Sequence, residues 1–98
     1  MRSGPQFSVA MCTYNGEKYL REQLDSIAAQ SILPTELVVC DDGSSDQTVT
    51  ILREFAIQAP FPVKVYENQE TLGVARNFFK AIRLCSADWV ILCDQDDV

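Results

Sequence analysis

The chain has 98 residues, which suits one domain or part of one, and its hydrophobic content of 47% argues against disorder. Its formal net charge of −6 argues against nucleic acid as a partner, because a surface that follows phosphates needs clustered Lys and Arg. If such an acidic chain binds a phosphorylated ligand, it must use backbone amides, a few basic residues or a metal ion.

The elements predicted by hydrophobic patterning alternate between strand and helix along the whole chain. In order they are a strand over Phe7–Thr13, a helix over Glu17–Gln30, a strand over Glu36–Asp42, a helix over Thr48–Ala59, a strand over Val63–Glu67, a helix over Val74–Cys85 and a strand over Asp88–Asp94. This β-α-β-α-β-α-β order predicts an α/β domain with a mainly parallel sheet and right-handed crossovers. The near-continuous apolar strands suit a sheet that is covered on both faces.

The cysteines predict reduced thiols in a cytoplasmic protein. The chain has no histidine and no CxxC spacing, which makes a zinc site of the usual kind improbable. Three of the four lie in apolar strand-like runs, where Cys behaves as a small hydrophobic residue. They are Cys12, Cys40, Cys85 and Cys93. The polar N-terminal residues resemble no signal peptide, and no stretch approaches the ~20 apolar residues of a membrane span.

Polar residues follow every predicted strand, at the edge where open α/β sheets bind ligands. They are Thr13, Tyr14, Asn15 and Gly16 after the first strand, Asp41, Asp42 and Gly43 at the end of the second, Asn68 leading to Gly73, Arg76 and Asn77 after the third, and Asp94, Asp96 and Asp97 after the fourth. Because these groups come from strands that are distant in sequence, their convergence is a stronger argument for a site than any single motif.

Three carboxylates lie within four positions of the final segment VILCDQDDV. Carboxylates this close repel one another, and without compensation the pKa of at least one would rise. A hard cation such as Mg²⁺ or Mn²⁺ removes the repulsion, because it prefers carboxylate oxygens. The alternative is a solvated acidic turn.

Other polar residues at this edge have two interpretations. Asp41 and Asp46 in the segment DDGSSD are either ordinary turn and capping residues or ligand contacts. An Asp at a strand end could accept an N–H from a pyrimidine base, with Tyr14 stacked on that base or simply packed. Arg76 is either a surface residue or faces a diphosphate near a helix N-terminus.

Four blocks of the sequence resemble, in the same order, the nucleotide-binding half of family 2 glycosyltransferases of the GT-A fold. The blocks are VAMCTYNGEKYLREQLDSIAAQ, ELVVCDDGSSDQT, GVARN and VILCDQDDV, so the resemblance runs from about Phe7 to Val98. It implies a Rossmann-like three-layer α/β/α fold, truncated, in which residues 1–98 form a single partial domain that lacks the acceptor-binding half. DQD would be the acidic DxD motif that binds a metal ion and the diphosphate of a sugar nucleotide.

The resemblance also implies a role for each matching residue of the nucleotide cleft. Thr13 and Tyr14 would hold the nucleoside at the edge of the first strand, with Tyr14 beside the base. Asp42 would accept the N–H of that base. Arg76 and Asn77 match the segment that lines the nucleotide cleft.

The terminal acids match the metal site of the family. Asp94 would lie near the ribose and the metal, Asp96 would bind Mn²⁺ or Mg²⁺ directly, and Asp97 would support them. The metal would neutralise charge on the leaving diphosphate.

The family transfers a sugar, usually with inversion, from a nucleoside diphosphate sugar to a hydroxyl group. A UDP- or dTDP-linked donor and a glycan or lipid-linked acceptor are therefore expected, in polysaccharide assembly, in the cytoplasm or at the inner face of the membrane. The catalytic base of the family lies beyond the DxD motif, so we expect it after residue 98 and predict no turnover from these residues alone. A partial sheet also predicts self-association through exposed apolar surface.

Two other classes of protein compete with this interpretation. DQDDV fits the DxDxV motif of haloacid-dehalogenase-type phosphatases, in which the first Asp attacks phosphorus. That motif normally lies on the first strand, whereas here three strand-helix units precede it. A non-catalytic nucleotide-binding module, or a receiver-like domain with Asp41 and Asp42 as its acidic pair, is the second alternative, although receivers carry that pair after the first strand.

Overall fold

The computed structural model describes residues 6–94 of the chain. Its elements alternate in the predicted order: β1 (Phe7–Thr13), α1 (Glu17–Ala28), β2 (Glu36–Asp41), α2 (Thr48–Gln58), β3 (Val63–Glu67), α3 (Val74–Leu84) and β4 (Trp89–Asp94). The predicted ends that differ do so by only one or two residues. Such differences are expected, because the ends of helices and strands carry weaker sequence signals than their middles.

The four strands form one sheet in the order β3-β2-β1-β4, and each of the three pairings between described strands is parallel. β1 lies inside the sheet, where Cys12 is in register with Cys40 of β2 on one side and with Asp94 of β4 on the other. The sheet is therefore built outward from β1, first towards β3 and then on the opposite side.

The helices cover the sheet from both faces. α1 and α2 pack on one face, and α3 packs on the other, against β1 and β2. Right-handed crossovers explain this division, because the chain reverses its direction across the sheet between β3 and β4. The three-layer α/β/α architecture predicted from the sequence is confirmed.

The two faces of the sheet carry different cores because side chains alternate along each strand. Large residues from the sheet, α1, α2 and the loop after α2 fill the first face: Val9, Met11, Leu20, Leu24, Ile27, Leu37, Val39, Leu52, Phe55 and Phe61. Mostly smaller residues form the second: Ala10, Cys12, Val38, Cys40 and Ala81. These small side chains allow α3 to lie close to the strand ends that carry the candidate site.

β4 leaves large apolar side chains in contact with solvent. Trp89 is 75% exposed, and Ile91 and Leu92 are each more than half exposed. This surface is the one to which the predicted self-association would apply, and that association stays a prediction. No helix within residues 6–94 combines the length and the apolar character that crossing a bilayer requires.

Candidate functional site

The predicted convergence of polar groups is present at the carboxyl ends of the strands. Thr13, at the end of β1, is in register with Asp41, at the end of β2. Asp41 is in turn in register with Glu67, after which Asn68 begins the loop that leads to α3. β4 ends at Asp94, opposite Cys12. The strand order reverses at β1, so this edge is the topological switch point where open α/β sheets bind ligands.

Asp41 is a buried residue that organises the turn after β2. One of its oxygens, Oδ1, accepts hydrogen bonds from Thr13 Oγ1 at 2.7 Å and from Ser44 Oγ at 2.6 Å. The other, Oδ2, accepts the backbone N–H groups of Gly43 and Ser44. The side chain is only 1% exposed, so its position favours the turn interpretation over contact with a ligand.

The loops that follow β1 and β2 are held together by side-chain hydrogen bonds. Asn15 adopts a positive φ of 49°, a conformation that Asn tolerates better than most residues, and its Oδ1 accepts the N–H of Ser45 at 2.8 Å. The N–H of Gly16 donates to Thr48 Oγ1, also at 2.8 Å. Asp46 accepts the N–H of Thr48 at 2.9 Å, in the turn just before α2. These hydrogen bonds fix the positions of the two loops relative to each other.

Asp42 faces the third loop of the site. Its Oδ1 accepts the N–H of Leu72 at 2.7 Å and Asn68 Nδ2 at 2.9 Å, and its Oδ2 accepts the N–H of Gly73 at 3.0 Å. Burial by itself raises the pKa of Asp42, but these three hydrogen bonds and the charge of Lys80 outweigh it and leave the pKa below its usual range. Asp42 is therefore a carboxylate at neutral pH.

Asn68 connects Asp42 to α3. Its Nδ2 donates to Asn77 Oδ1 at 2.7 Å as well as to Asp42, and its Oδ1 accepts from Lys80 Nζ at 2.6 Å. Asn77 is 2% exposed and donates to the carbonyl oxygen of Cys40 at 2.9 Å. The structure thus gives Asn77 a packing role below the edge of the sheet, and its predicted part in lining the nucleotide cleft stays a prediction.

Tyr14 and Arg76 are both exposed. Tyr14 is 53% exposed at the end of β1, where its ring is accessible to a ligand. Arg76 lies on the first turns of α3 and borders an open groove of about 390 Å³. The groove is lined by Leu72, Arg76, Phe79, Lys80 and Arg83.

The predicted metal ligands fall at the limit of the described chain. Asp96 and Asp97 lie outside the described residues, and for Asp94 the description covers the backbone at the end of β4. Within residues 6–94 no group of three or more acidic or thiol side chains is arranged to hold a metal ion. The terminal acids carry oxygen donors of the kind that Mg²⁺ and Mn²⁺ prefer, and their part in a metal site stays a prediction.

A parallel α/β sheet with a polar edge at its switch point defines a doubly wound ligand-binding domain. The chain belongs to glycosyl transferase family 2, since the sequence model of that family matches residues 8–98. The resemblance given by its four sequence blocks is thereby confirmed.

Relatives of known structure carry the same fold. Residues 1–349 of TarS from Staphylococcus aureus, solved in complex with UDP-GlcNAc, match with a TM-score of 0.85 and 32% identity, over 94% of this chain and 27% of that one. The mannosyltransferase PcManGT from Pyrobaculum calidifontis, in complex with GDP-Man and Mn²⁺, matches with a TM-score of 0.83 and 31% identity, over 92% and 27%. The fold is therefore the Rossmann-like fold of GT-A glycosyltransferases.

A curated relative matches over the full length of the sequence. EpsE of Bacillus subtilis (strain 168) is 34% identical over 98 residues, which are 100% of this chain and 35% of EpsE. The chain thus spans about a third of that relative.

Proposed function

We propose that this chain is the part of a glycosyltransferase that binds a nucleoside diphosphate sugar, whose sugar the whole protein transfers to a hydroxyl group. The observation that carries the proposal is the meeting of the β1, β2 and β4 ends at one switch point, with Thr13, Asp42 and Asp94 on three adjacent strand ends. The match to the family and the nucleotide-sugar complexes of TarS and PcManGT support it.

The nucleoside would bind between the loops that follow β1 and β2. Tyr14 offers an exposed aromatic face for the base, and Thr13 lies directly before it at the end of β1. Asp42 is ionised and would accept an N–H from the base. Arg76 is exposed at the start of α3 and would approach the diphosphate, since both its charge and the N-terminus of the helix favour an anion.

The diphosphate would be held through Mn²⁺ or Mg²⁺. Asp94, Asp96 and Asp97 are the residues that would hold the ion, with Asp96 as the direct ligand, and the Mn²⁺ complex of PcManGT supports a divalent metal. When bound, such an ion supplies Lewis-acid stabilisation of the charge that develops on the leaving diphosphate. It also explains how a chain with a net charge of −6 would retain an anionic donor.

The proposal names the acceptor only by its chemical class. We assign no residue of this chain as the catalytic base. The acceptor would be a glycan or a lipid-linked glycan, in polysaccharide assembly at the cytoplasmic side of the membrane. The base of the donor would be uracil or thymine, the two that present a single imide N–H to Asp42.

Calorimetric titration tests the proposal. The purified protein is titrated with uridine, thymidine and guanosine diphosphates, with and without Mn²⁺, and its fold is checked by circular dichroism. We expect metal-dependent binding with a preference for the pyrimidine diphosphates, and loss of that binding in Asp96→Ala. Asp88→Ala, which removes an exposed acid just before β4, is the matched control and should bind normally. Equal binding with and without metal would contradict the proposal.

A further inference from the structure

The carboxylate of Asp42 accepts most of the hydrogen bonds that it can form from groups of the protein itself. A carboxylate oxygen has two lone-pair directions, so Asp42 can accept about four hydrogen bonds in all. Among the described residues, Oδ1 accepts two, from Leu72 N–H and Asn68 Nδ2, and Oδ2 accepts one, from Gly73 N–H. Oδ1 is therefore saturated, and no donor within residues 6–94 takes the second direction on Oδ2, which is left for a ligand.

Nucleotide bases differ in the number of adjacent donors that they offer to a carboxylate. Uracil and thymine present one imide N–H between two carbonyl oxygens. Guanine presents two parallel donors, N1–H and the 2-amino group, and these pair best with both oxygens of one carboxylate. A carboxylate that has one free direction suits the imide and leaves the 2-amino group of guanine without an acceptor, which is costly where water is excluded.

We propose that Asn68 is a specificity-determining residue: by occupying Oδ1 of Asp42, it limits that carboxylate to one further donor and selects a single-donor base over guanine. The inference rests on the proposed function, in which Asp42 reads the base. It deepens that function, because the resemblance to the family gives Asn68 no role.

The network around Asn68 holds its amide in one orientation. Lys80 Nζ can only donate, so its 2.6 Å contact requires the oxygen of the amide to face α3. The amide nitrogen then faces both Asp42 and Asn77 Oδ1, at 2.9 Å and 2.7 Å. Turning the amide over would set Nδ2 against an ammonium and Oδ1 against a carboxylate. The donor to Asp42 is therefore fixed by Lys80.

Among the described residues, only Asn68 donates to Asp42 from a side chain, so its hydrogen bond is the one that a substitution can remove. The other two donors, the N–H groups of Leu72 and Gly73, belong to the backbone. Asn68→Ala would free one direction on Oδ1, so that Oδ1 and Oδ2 could each accept one donor from guanine. We therefore expect Asn68→Ala to raise the affinity for guanine nucleotides, an effect that a general loosening of the loop would not produce.

The test compares GDP with inosine diphosphate (IDP), whose base is guanine without the 2-amino group. Because the two ligands differ in that group alone, their affinity ratio reports on the second donor and cancels effects of ring size, ribose and diphosphate. In the unaltered protein, titrated with Mn²⁺, we expect UDP to bind and GDP to bind no better than IDP. In Asn68→Ala we expect the affinity ratio of GDP to IDP to rise roughly tenfold, the size of one recovered hydrogen bond to a charged acceptor.

Two further variants keep the test decisive. Asn68→Leu retains the approximate size of the side chain and removes its amide donor, so it should raise the same ratio if Asn68→Ala is unstable in a thermal melt. Gln69→Ala, an exposed neighbour in the same loop, is the matched control and should leave the ratio unchanged.

The possible failures are distinguishable. If UDP binds with metal but the ratio of GDP to IDP is the same in all four proteins, the role of Asn68 is overturned and the proposed function stands. If GDP already binds the unaltered protein better than IDP, the count of free acceptor directions on Asp42 is wrong. If no nucleoside diphosphate binds a folded sample, the proposed function fails and this inference fails with it.

Discussion

Thr13 Oγ1 donates to Asp41 Oδ1 at 2.7 Å, and this contact joins the ends of β1 and β2 beneath the candidate nucleotide site. Both side chains are almost completely buried, and Asp41 uses its remaining capacity on the turn at Gly43 and Ser44. The hydroxyl group of Thr13 therefore helps to fix the turn after β2 through its hydrogen bond to Asp41.

Thr13→Val is expected to lower the free energy of unfolding by about 1–2 kcal/mol, because it removes a buried donor while conserving shape. Urea denaturation followed by circular dichroism measures the change. Thr50→Val on the exposed surface of α2 is the control and should stay within about 0.5 kcal/mol of the unaltered protein. An equal effect of the two substitutions would contradict a structural role for the Thr13 hydroxyl group.

Gly73 combines an unusual backbone conformation with a hydrogen bond to Asp42. Its φ of 87° and ψ of 164° lie in a region that residues with a side chain rarely adopt, and its N–H donates to Asp42 Oδ2 at 3.0 Å. A Cβ atom at this position would meet no atom within 4 Å, so the cost of a side chain is conformational rather than steric.

Gly73→Ala should therefore destabilise the protein by about 1–3 kcal/mol. We also expect weaker binding of the nucleoside diphosphate, since the start of α3 and one of the donors to Asp42 would shift. Thermal unfolding and calorimetry measure the two effects. Thr71→Ala in the same loop lacks the backbone constraint and should change neither.

The order of the elements and the location of the candidate site could be predicted because each element carries a hydrophobic pattern along most of its length. Continuous apolar runs mark the buried strands, helical spacing marks α1, α2 and α3, and strand-helix alternation implies a parallel sheet whose carboxyl ends face the same way. The turn residues after each strand could then be assigned to one edge without knowledge of any contact.

The individual roles of neighbouring polar residues were harder to predict, because contacts between distant segments decide them. Asp41 and Asp42 have the same local sequence signal, yet the first closes its own turn and the second anchors the loop before α3. Asn77 is 2% exposed on α3, and that burial depends on contacts that its own sequence does not show. The central position of Asn68 had no sequence signal beyond its place after β3.

Cys40 lies at the centre of the sheet with no exposed surface. Burial, the largest influence, raises the pKa of its thiol, so little reactive thiolate forms at neutral pH. We expect iodoacetamide to label Cys40 in the folded protein at least about a hundredfold more slowly than in urea, because labelling must wait for opening of the structure. Peptide mass spectrometry after timed labelling measures this. Equal rates in the two conditions would contradict the burial of β2.

Glu36 closes the opposite edge of the sheet, away from the candidate site. Its side chain is 2% exposed and accepts hydrogen bonds from Ser8 Oγ at 2.6 Å, Lys64 Nζ at 2.7 Å and Ser86 Oγ at 2.8 Å. Burial raises the pKa of Glu36, but the hydrogen bonds from Lys64, Ser8 and Ser86 outweigh it and lower the pKa from 4.5 to about 2. One ionised side chain thus joins β1, β2, β3 and the segment before β4.

The lowered pKa of Glu36 makes stability depend on pH in the acid range. A carboxyl group whose pKa is lower in the folded state stabilises that state fully above its unfolded value of 4.5, and the contribution is lost as the pH falls towards about 2. Glu36→Gln should therefore destabilise the protein at neutral pH, by no more than about 3 kcal/mol. It should also flatten the decline of stability below about pH 5. Urea titrations across this range, with exposed Glu22→Gln on α1 as the control, measure both effects, and an unchanged acid slope in Glu36→Gln would contradict the role of this carboxylate.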